Sequence, residues 1–288
     1  MTAARSTPVE MAPKTARLSA ERPLPSTGLV ATPLLDAITI EHGPPRLLTE
    51  FFARADAAMR AAGIHLWYSG DFSLLDRINR ANADSWYPLW PAFTALGGAG
   101  ADNAYFFLGT LDGEVVATQI GRVYDMPEGL TEGCANLRFM YDDPKTQSTP
   151  DDRCELVGEA AIHGHEIRGR IVQSGGTWFA KDKARGRGFS HVFPRLSRAY
   201  ALARFGTDWT VSTVRQSLAD IGVGTAYGYK RLYPELRWSA PASRAGYTKN
   251  DPLNLVSLCR EETIADLEVA VRSQRFAGAA ATPLRAAE

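Results

Sequence analysis

The chain has 288 residues and 45% hydrophobic content, enough for one large domain or two small ones with a real core. Lys plus Arg (32) equals Asp plus Glu (32), so the formal net charge is zero. That balance removes any global attraction to nucleic acid or anionic lipid, and no run of about 18 apolar residues offers a membrane span.

Residues 1–28 carry Arg5, Lys14, Arg17 and Arg22 without the apolar stretch of a targeting signal, so they read as a mobile tail. Residues 276–288 read the same way, which leaves 29–275 as one domain with an N-terminal helical extension. Leu47, Leu48, Phe51, Phe52, Ala55 and Met59 recur at helical spacing after Pro44-Pro45, and Gly63 stops the run. A short strand at 64–68 and a second helix with Leu74, Leu75, Ile78 and Ala81 follow. Trp86, Tyr87, Trp90 and Phe93 form an aromatic stretch that reads first as packing and second as a ligand wall.

Residues 104–110 and 114–124 alternate as strands around Asp112-Gly113, a hairpin signal. A further strand is expected at 137–141, and 155–163 fits a strand or a short helix. Residues 167–173 read as a strand, Gly175-Gly176 as a break, and 177–180 as β-prone. Phe189, Val192, Phe193, Leu196, Ala199, Tyr200 and Ala203 then mark one face of a helix closed by Gly206, with Pro194 early in it. A strand at 209–214, a helix at 221–232, strands at 236–239 and 253–258 and a closing helix at 261–276 complete an α/β layer with a mixed sheet.

Between the strand at 177–180 and the following helix lies Lys183-Ala184-Arg185-Gly186-Arg187-Gly188. Glycines let the backbone turn tightly, the first amides of a helix lack intrahelical acceptors, and Lys181, Lys183, Arg185 and Arg187 add positive charge. A diphosphate is the natural occupant, and a basic surface turn is the bland alternative.

Lys183-x-x-Gly186-x-Gly188 resembles the Gln/Arg-x-x-Gly-x-Gly/Ala motif of the GNAT superfamily of acyl-CoA-dependent N-acyltransferases. Tyr229-Lys230-Arg231-Leu232 is similar to that family's Tyr-x-Lys-Leu region, and the order of elements from 64 to 240 also matches. The resemblance implies a GNAT-like α/β fold, with a mixed, mostly antiparallel central sheet flanked by helices. It implies acetyl-CoA or another acyl-CoA as co-substrate, with no metal, and direct transfer to an amine on a small molecule or a protein. Trp178, Phe179 and Ala180 would pair with pantetheine, an N–H near Phe179 would polarise the thioester carbonyl, and Lys183, Arg185, Gly186, Arg187, Gly188, Phe189 and Ser190 would hold the diphosphate. Tyr229 would protonate the leaving thiolate, with Tyr227 as its close alternative. Glu159, His163, His165 and Glu166 are upstream candidates for a base, beside a water relay.

The acceptor site would lie between residues 64–95 and 239–250, where Trp86, Tyr87 and Trp90 suggest an apolar or aromatic acceptor. A cytoplasmic protein, free of nucleic acid and membrane and compatible with a homodimer, completes the expectation. Gly222 stands near the place of the family's usual Asn, and Tyr233-Pro234 replaces its Gly-Phe, which keeps open a GNAT-like binding protein without catalysis. An autoinducer-synthase-like acyltransferase is a third reading.

Three observations bear on other chemistries. Cys134, Cys154 and Cys259 form no metal or disulfide spacing and read as buried reduced thiols. His163 and His165 would share a face on a strand and could hold a metal, but Arg168, Gly169 and Arg170 stand where a third ligand is wanted, so polar or solvent contacts are preferred. No Gly-x-Ser-x-Gly elbow supports a serine hydrolase.

Overall fold

The computed structural model describes residues 22–23, 30–184, 186–239 and 252–273. Both terminal segments expected to be mobile fall largely outside that set, as do Arg185 and residues 240–251. In chain order the elements open with β1 (Arg22–Pro23), β2 (Val30–Pro33), α1 (Leu34–Ala37) and α2 (Pro45–Ala61). Next come β3 (His65–Ser69), α3 (Phe72–Ala81), β4 (Ala104–Leu111), β5 (Glu114–Met126), α4 (Leu130–Ala135) and α5 (Pro144–Gln147). They continue through β6 (Arg153–Leu156), α6 (Glu159–Glu166), β7 (Gly169–Phe179), α7 (Lys181–Ala184), α8 (Phe189–Phe205) and β8 (Trp209–Arg215). The last are α9 (Gln216–Asp220), α10 (Val223–Ala226), β9 (Tyr233–Ser239), β10 (Leu253–Cys259) and α11 (Arg260–Arg272).

The strands form a sheet in the order β1-β2-β3-β4-β5-β7-β8-β10-β9-β6. Among the described residues every pairing is antiparallel except β7 with β8. Helices flank it, so the expected mixed, mostly antiparallel α/β layer is what the chain builds. The β4–β5 turn takes positive φ at both Asp112 and Gly113, the geometry that matches strand twist in a two-residue hairpin. Both faces of β4 are covered, because alternate side chains point to opposite sides. Tyr105 and Phe107 join Phe51, Phe52, Leu196 and Leu267 under α2, α8 and α11. Phe106 and Leu108 join Leu75, Trp86, Leu130 and Ile171 on the other face.

Four expected elements differ. Residues 137–141 are a turn and no strand, since Leu137 has φ 64° and the amides of Met140 and Tyr141 bond back to its carbonyl. β7 runs through Gly175-Gly176 without breaking. The expected helix at 221–232 is split, because Gly222 and Gly228 both take positive φ, so Tyr229 lies in the loop after α10. His163 and His165 sit on α6, where a two-residue step turns them away from a common face. Among the described residues no group of three His, Cys, Asp or Glu could hold a metal.

α8 continues past Pro194, which stands beyond its first turn and leaves the Ser190 carbonyl without its usual donor. Packing compensates: Phe189 and Phe193 lie against Phe179 with ring centres 5.6 and 5.8 Å away, and Gly109 leaves the space that the tip of Phe193 occupies. A Cβ on Gly109 would stand 2.8 Å from Phe193 Cζ.

Buried phenols link this core to pH. The Tyr105 hydroxyl donates to the Ser197 carbonyl at 2.7 Å and that of Tyr124 to Gln173 Oε1 at 2.8 Å. Burial raises the pKa values of Tyr105, Tyr124 and Tyr200 above the ordinary 10.0. Below pH 10 these groups are protonated whether folded or unfolded. Above it the unfolded chain ionises first, so stability falls as pH rises, by up to about 1.4 kcal/mol per pH unit for each such tyrosine. Urea midpoints should therefore hold between pH 7 and 9 and drop between 10 and 11, with a shallower drop in Tyr105→Phe. An equally steep drop in that variant would count against this origin.

Candidate active site

The parallel pairing of β7 and β8 is brief. Ile171, Val172 and Gln173 face Trp209, Thr210 and Val211, and there the ladder ends. Beyond it β7 stays with β5 as far as Phe179, and β8 stays with β10 as far as Arg215. A wedge opens between Ser174 and Ser212.

The β7 side of the wedge is bulged. Gly175 pairs with Ile120 and Trp178 with Thr118, so the stretch Gly176-Thr177 has one residue too many for the register. Gly176 takes φ +56°, and a Cβ there would stand 2.1 Å from Ile120 Cδ1, so glycine is required. Buried Gln119 clamps the bulge. Its Nε2 donates to Ser174 Oγ (3.0 Å) and the Gly175 carbonyl (3.1 Å), while its Oε1 accepts from Thr177 Oγ1 at 2.6 Å.

A cavity of about 190 Å³ fills the wedge. Its far wall is the aromatic stretch: Trp86 stacks on Trp178 with ring centres 5.4 Å apart, and Trp90 on Trp238 at 4.7 Å. Tyr227 also lines it, its phenol acting on Thr177, whereas the Tyr229 phenol is placed against Ser212 and Ser174 where the strands part. Burial raises both phenols' pKa values, Thr177 partly offsetting this for Tyr227 and the Arg198 guanidinium and Ser212 for Tyr229, so both are protonated donors at neutral pH.

The loop carrying these tyrosines is held from below. Fully buried Arg198 lies over the Tyr229 ring (5.1 Å to its centre), donates to the Tyr227 carbonyl and pairs with Asp266 at 3.4 Å. Arg195 donates to the Ala226 carbonyl (3.2 Å) and pairs with the same carboxylate at 2.9 Å. Burial lowers the Arg198 pKa and the charge of Asp266 supports it.

Past β7, the Lys183 and Ala184 amides both bond to the Ala180 carbonyl, forming α7. Gly186 is exposed with φ +75°, and a Cβ there would meet nothing within 4 Å. Gly188, φ +74°, precedes α8, whose N-terminus has no side-chain cap. The His191 amide bonds to the Gly188 carbonyl, while those of Gly188, Phe189 and Ser190 find no acceptor among the described residues.

Two of the basic side chains are occupied elsewhere. Lys183 is ion-paired with Glu114 and Arg187 donates to the Ala62 carbonyl, and Arg185 is outside the described residues. Trp178 is stacked on Trp86, Phe179 pairs with Ala117, and the Ala180 amide bonds to the Val116 carbonyl. Their β5 side is therefore satisfied, and the opposite edge of β7 faces the wedge.

Glu159, His163, His165 and Glu166 do not line the cavity. His163 is instead bonded to Ser257 Oγ (2.7 Å) and stacked on Tyr233 at 4.1 Å. Residues 86–90 and Phe93 line the cavity, with Arg215, Leu218 and Leu253 also in its wall. Sequence reading missed Gln119, Ser174, Ser212, Arg198 and Asp266. Only the Gly175-Gly176 pair carried a signal, as a bulge instead of a break.

No family model and no curated protein matches the chain. Solved structures similar to it include Mycobacterium smegmatis RimJ in complex with CoA-disulfide, 16% identical, covering 73% of this chain and 91% of that one at a TM-score of 0.39. Another is the aminoglycoside N(6′)-acetyltransferase from Legionella pneumophila, 12% identical over 70% and 94% of the two chains at 0.37. A third is the spermidine/spermine N-acetyltransferase SpeG from Vibrio cholerae, 8% identical over 70% and 97% at 0.39. Likeness at this level carries no functional conclusion.

Proposed function

We propose that the chain is a GNAT-type acyltransferase, moving an acyl group from a coenzyme A thioester to an amine in the wedge between β7 and β8. The observation that carries this is the coincidence of an unpaired, bulged strand edge, a cavity against it, and an uncapped helix start that follows the same strand after α7 and the glycine loop. An extended thioester arm would lie along β7 while its diphosphate meets the amides of Gly188, Phe189 and Ser190.

The acyl carbonyl would then lie beside the bulge at Gly176-Thr177, which leaves the β5 register; Phe179, first expected to face it, is inside that register. The amine nitrogen attacks the carbonyl carbon, negative charge gathers on the oxygen against backbone N–H groups, and the C–S bond breaks. Tyr229, or Tyr227, gives a proton to the departing sulfur, the amine's proton leaves to water, and the phenolate takes a proton back from that water. Lys183 and Arg187 act on a bound anion through long-range charge, since their side chains are engaged elsewhere.

Residues 29–275 serve as one domain in this reading, in a reducing, cytoplasmic setting suited to three free cysteines. No helix among the described residues is long and apolar enough to cross a membrane. One observation favours the second reading, a binding protein without catalysis: no carboxylate or imidazole lines the cavity among the described residues.

Ser190→Asp separates ligand binding from folding. An acid in the first turn of α8 favours the helix dipole yet repels a diphosphate. Calorimetry should show CoA binding to the unaltered chain and at least about tenfold weaker binding to the variant, roughly 1.4 kcal/mol, at an unchanged melting temperature. Equal affinity in both, or no CoA binding at all, would remove the diphosphate site.

A further inference from the structure

A hydroxyl, an imidazole and a carboxylate stand in a row away from the wedge. His163 Nε2 lies 2.7 Å from Ser257 Oγ, and its Nδ1 lies 3.2 Å from Glu166 Oε2. None of the three lines the wedge cavity. His163 and Glu166 come from α6, three residues apart and so on one face, while Ser257 comes from β10. The imidazole is held on two further sides, stacked on Tyr233 at 4.1 Å and edge-on to Trp209 at 5.8 Å.

The partners fix where the protons are. A carboxylate only accepts, so Nδ1 carries the ring hydrogen. Nε2 is then the acceptor, and the Ser257 hydroxyl donates to it. A nucleophile within hydrogen-bond reach of a base, with a third group orienting that base, is the arrangement that activates a serine. It is recognised by geometry and not by sequence position, so the missing Gly-x-Ser-x-Gly elbow does not bear on it.

Strand parity adds a donor for developing negative charge. The Gln216 amide bonds to the Pro252 carbonyl, and β10 pairs with β8 in unbroken register from Leu253 to Cys259. Backbone groups alternate sides along a strand, so Val256 and Leu258 turn theirs to β8 while Ser257 and Cys259 turn theirs away. The Cys259 amide accordingly bonds to Glu262 Oε2 at 3.1 Å. The ladder with β9 ends at Leu255 and Tyr233, so the Ser257 amide is aimed past its last rung, on the same residue as the hydroxyl.

The geometry points to a second reactive centre, with Ser257 as a nucleophile toward a small activated ester, His163 as its base and Glu166 orienting the imidazole. Ser257 Oγ bonds to the ester carbonyl carbon as its proton passes to His163 Nε2, and the oxyanion meets the Ser257 N–H. The bond to the leaving alcohol breaks as His163 returns that proton to the alcohol oxygen. Water repeats both steps on the acyl-serine, releasing the acid and restoring the hydroxyl. Ser257 is 8% exposed and the Glu166 side chain 69%, so the row reaches solvent at its carboxylate end and the hydroxyl admits only a small electrophile.

The test treats the full chain with diisopropyl fluorophosphate, from which Ser257 Oγ displaces fluoride at phosphorus, and reads intact mass and peptide maps. A single diisopropylphosphoryl group should appear on Ser257 and none in Ser257→Ala. His163→Gln should label at least about a hundredfold more slowly, the usual share of a positioned base. Glu166→Gln should slow labelling by less, since that carboxylate stands mostly in solvent. p-Nitrophenyl acetate should leave an acetyl group on the same serine. No adduct on Ser257 in the unaltered chain, or equal labelling rates in that chain and folded His163→Gln, overturns the inference. The first of these outcomes needs no variant, so the idea can fail even if His163→Gln does not fold.

Discussion

Asp266→Ala is expected to cost about 3–5 kcal/mol of folding stability, the usual result of stripping one partner from a buried ion pair. One carboxylate serves two arginines here, Arg195 at 2.9 Å and Arg198 at 3.4 Å, and Arg198 is fully buried. Arg198 already has Nε and Nη1 without an acceptor among the described residues, so it has no spare partner to turn to. Urea unfolding measures the loss. A triple variant, Arg195→Met and Arg198→Met with Asp266→Leu, should recover much of it, because an apolar cluster of similar bulk leaves neither arginine stranded. A single-variant loss under about 1 kcal/mol would show that water reaches the cluster and screens it.

Tyr229→Phe is expected to lower turnover about a hundredfold under the proposed reaction, within the range for a positioned acid, while CoA affinity and melting temperature change little. Phenylalanine keeps the ring over which Arg198 lies and removes only the hydroxyl placed against Ser212 and Ser174. Thiol release from acetyl-CoA in the presence of an accepted amine gives the rate. Tyr227→Phe run in parallel assigns the proton, since the Tyr227 phenol acts on Thr177 and the Tyr229 phenol on Ser212 and Ser174. Turnover unaffected by either change would take both phenols out of the reaction.

The elements legible in the sequence were those whose side chains follow one period throughout. The β4–β5 hairpin and α8 were readable because Phe106, Leu108 and Ile120, or Val192, Leu196 and Ala199, keep their faces over several turns or pleats. Residues 137–141 misled because Phe139 and Tyr141 are buried from a turn, where burial has no strand period. β7 misled in the other direction: its glycine pair absorbs an extra residue in place of ending the strand, and only the register with β5 reveals that. The glycine loop before α8 was visible as a motif. The groups that position the tyrosines were not, because Arg198 and Asp266 are far apart in the chain and carry no local pattern linking them.

Pro194 gives α8 a particular mechanical character. With one rung missing behind Ser190, the opening turn is steered by the ring cluster of Phe179, Phe189 and Phe193 more than by the peptide ladder. Gly109 sets the depth to which that cluster can sink, since its missing methyl is where the Phe193 tip rests. The aim of the helix's leading amides is thus decided on a neighbouring strand, by an atom that β4 does not have.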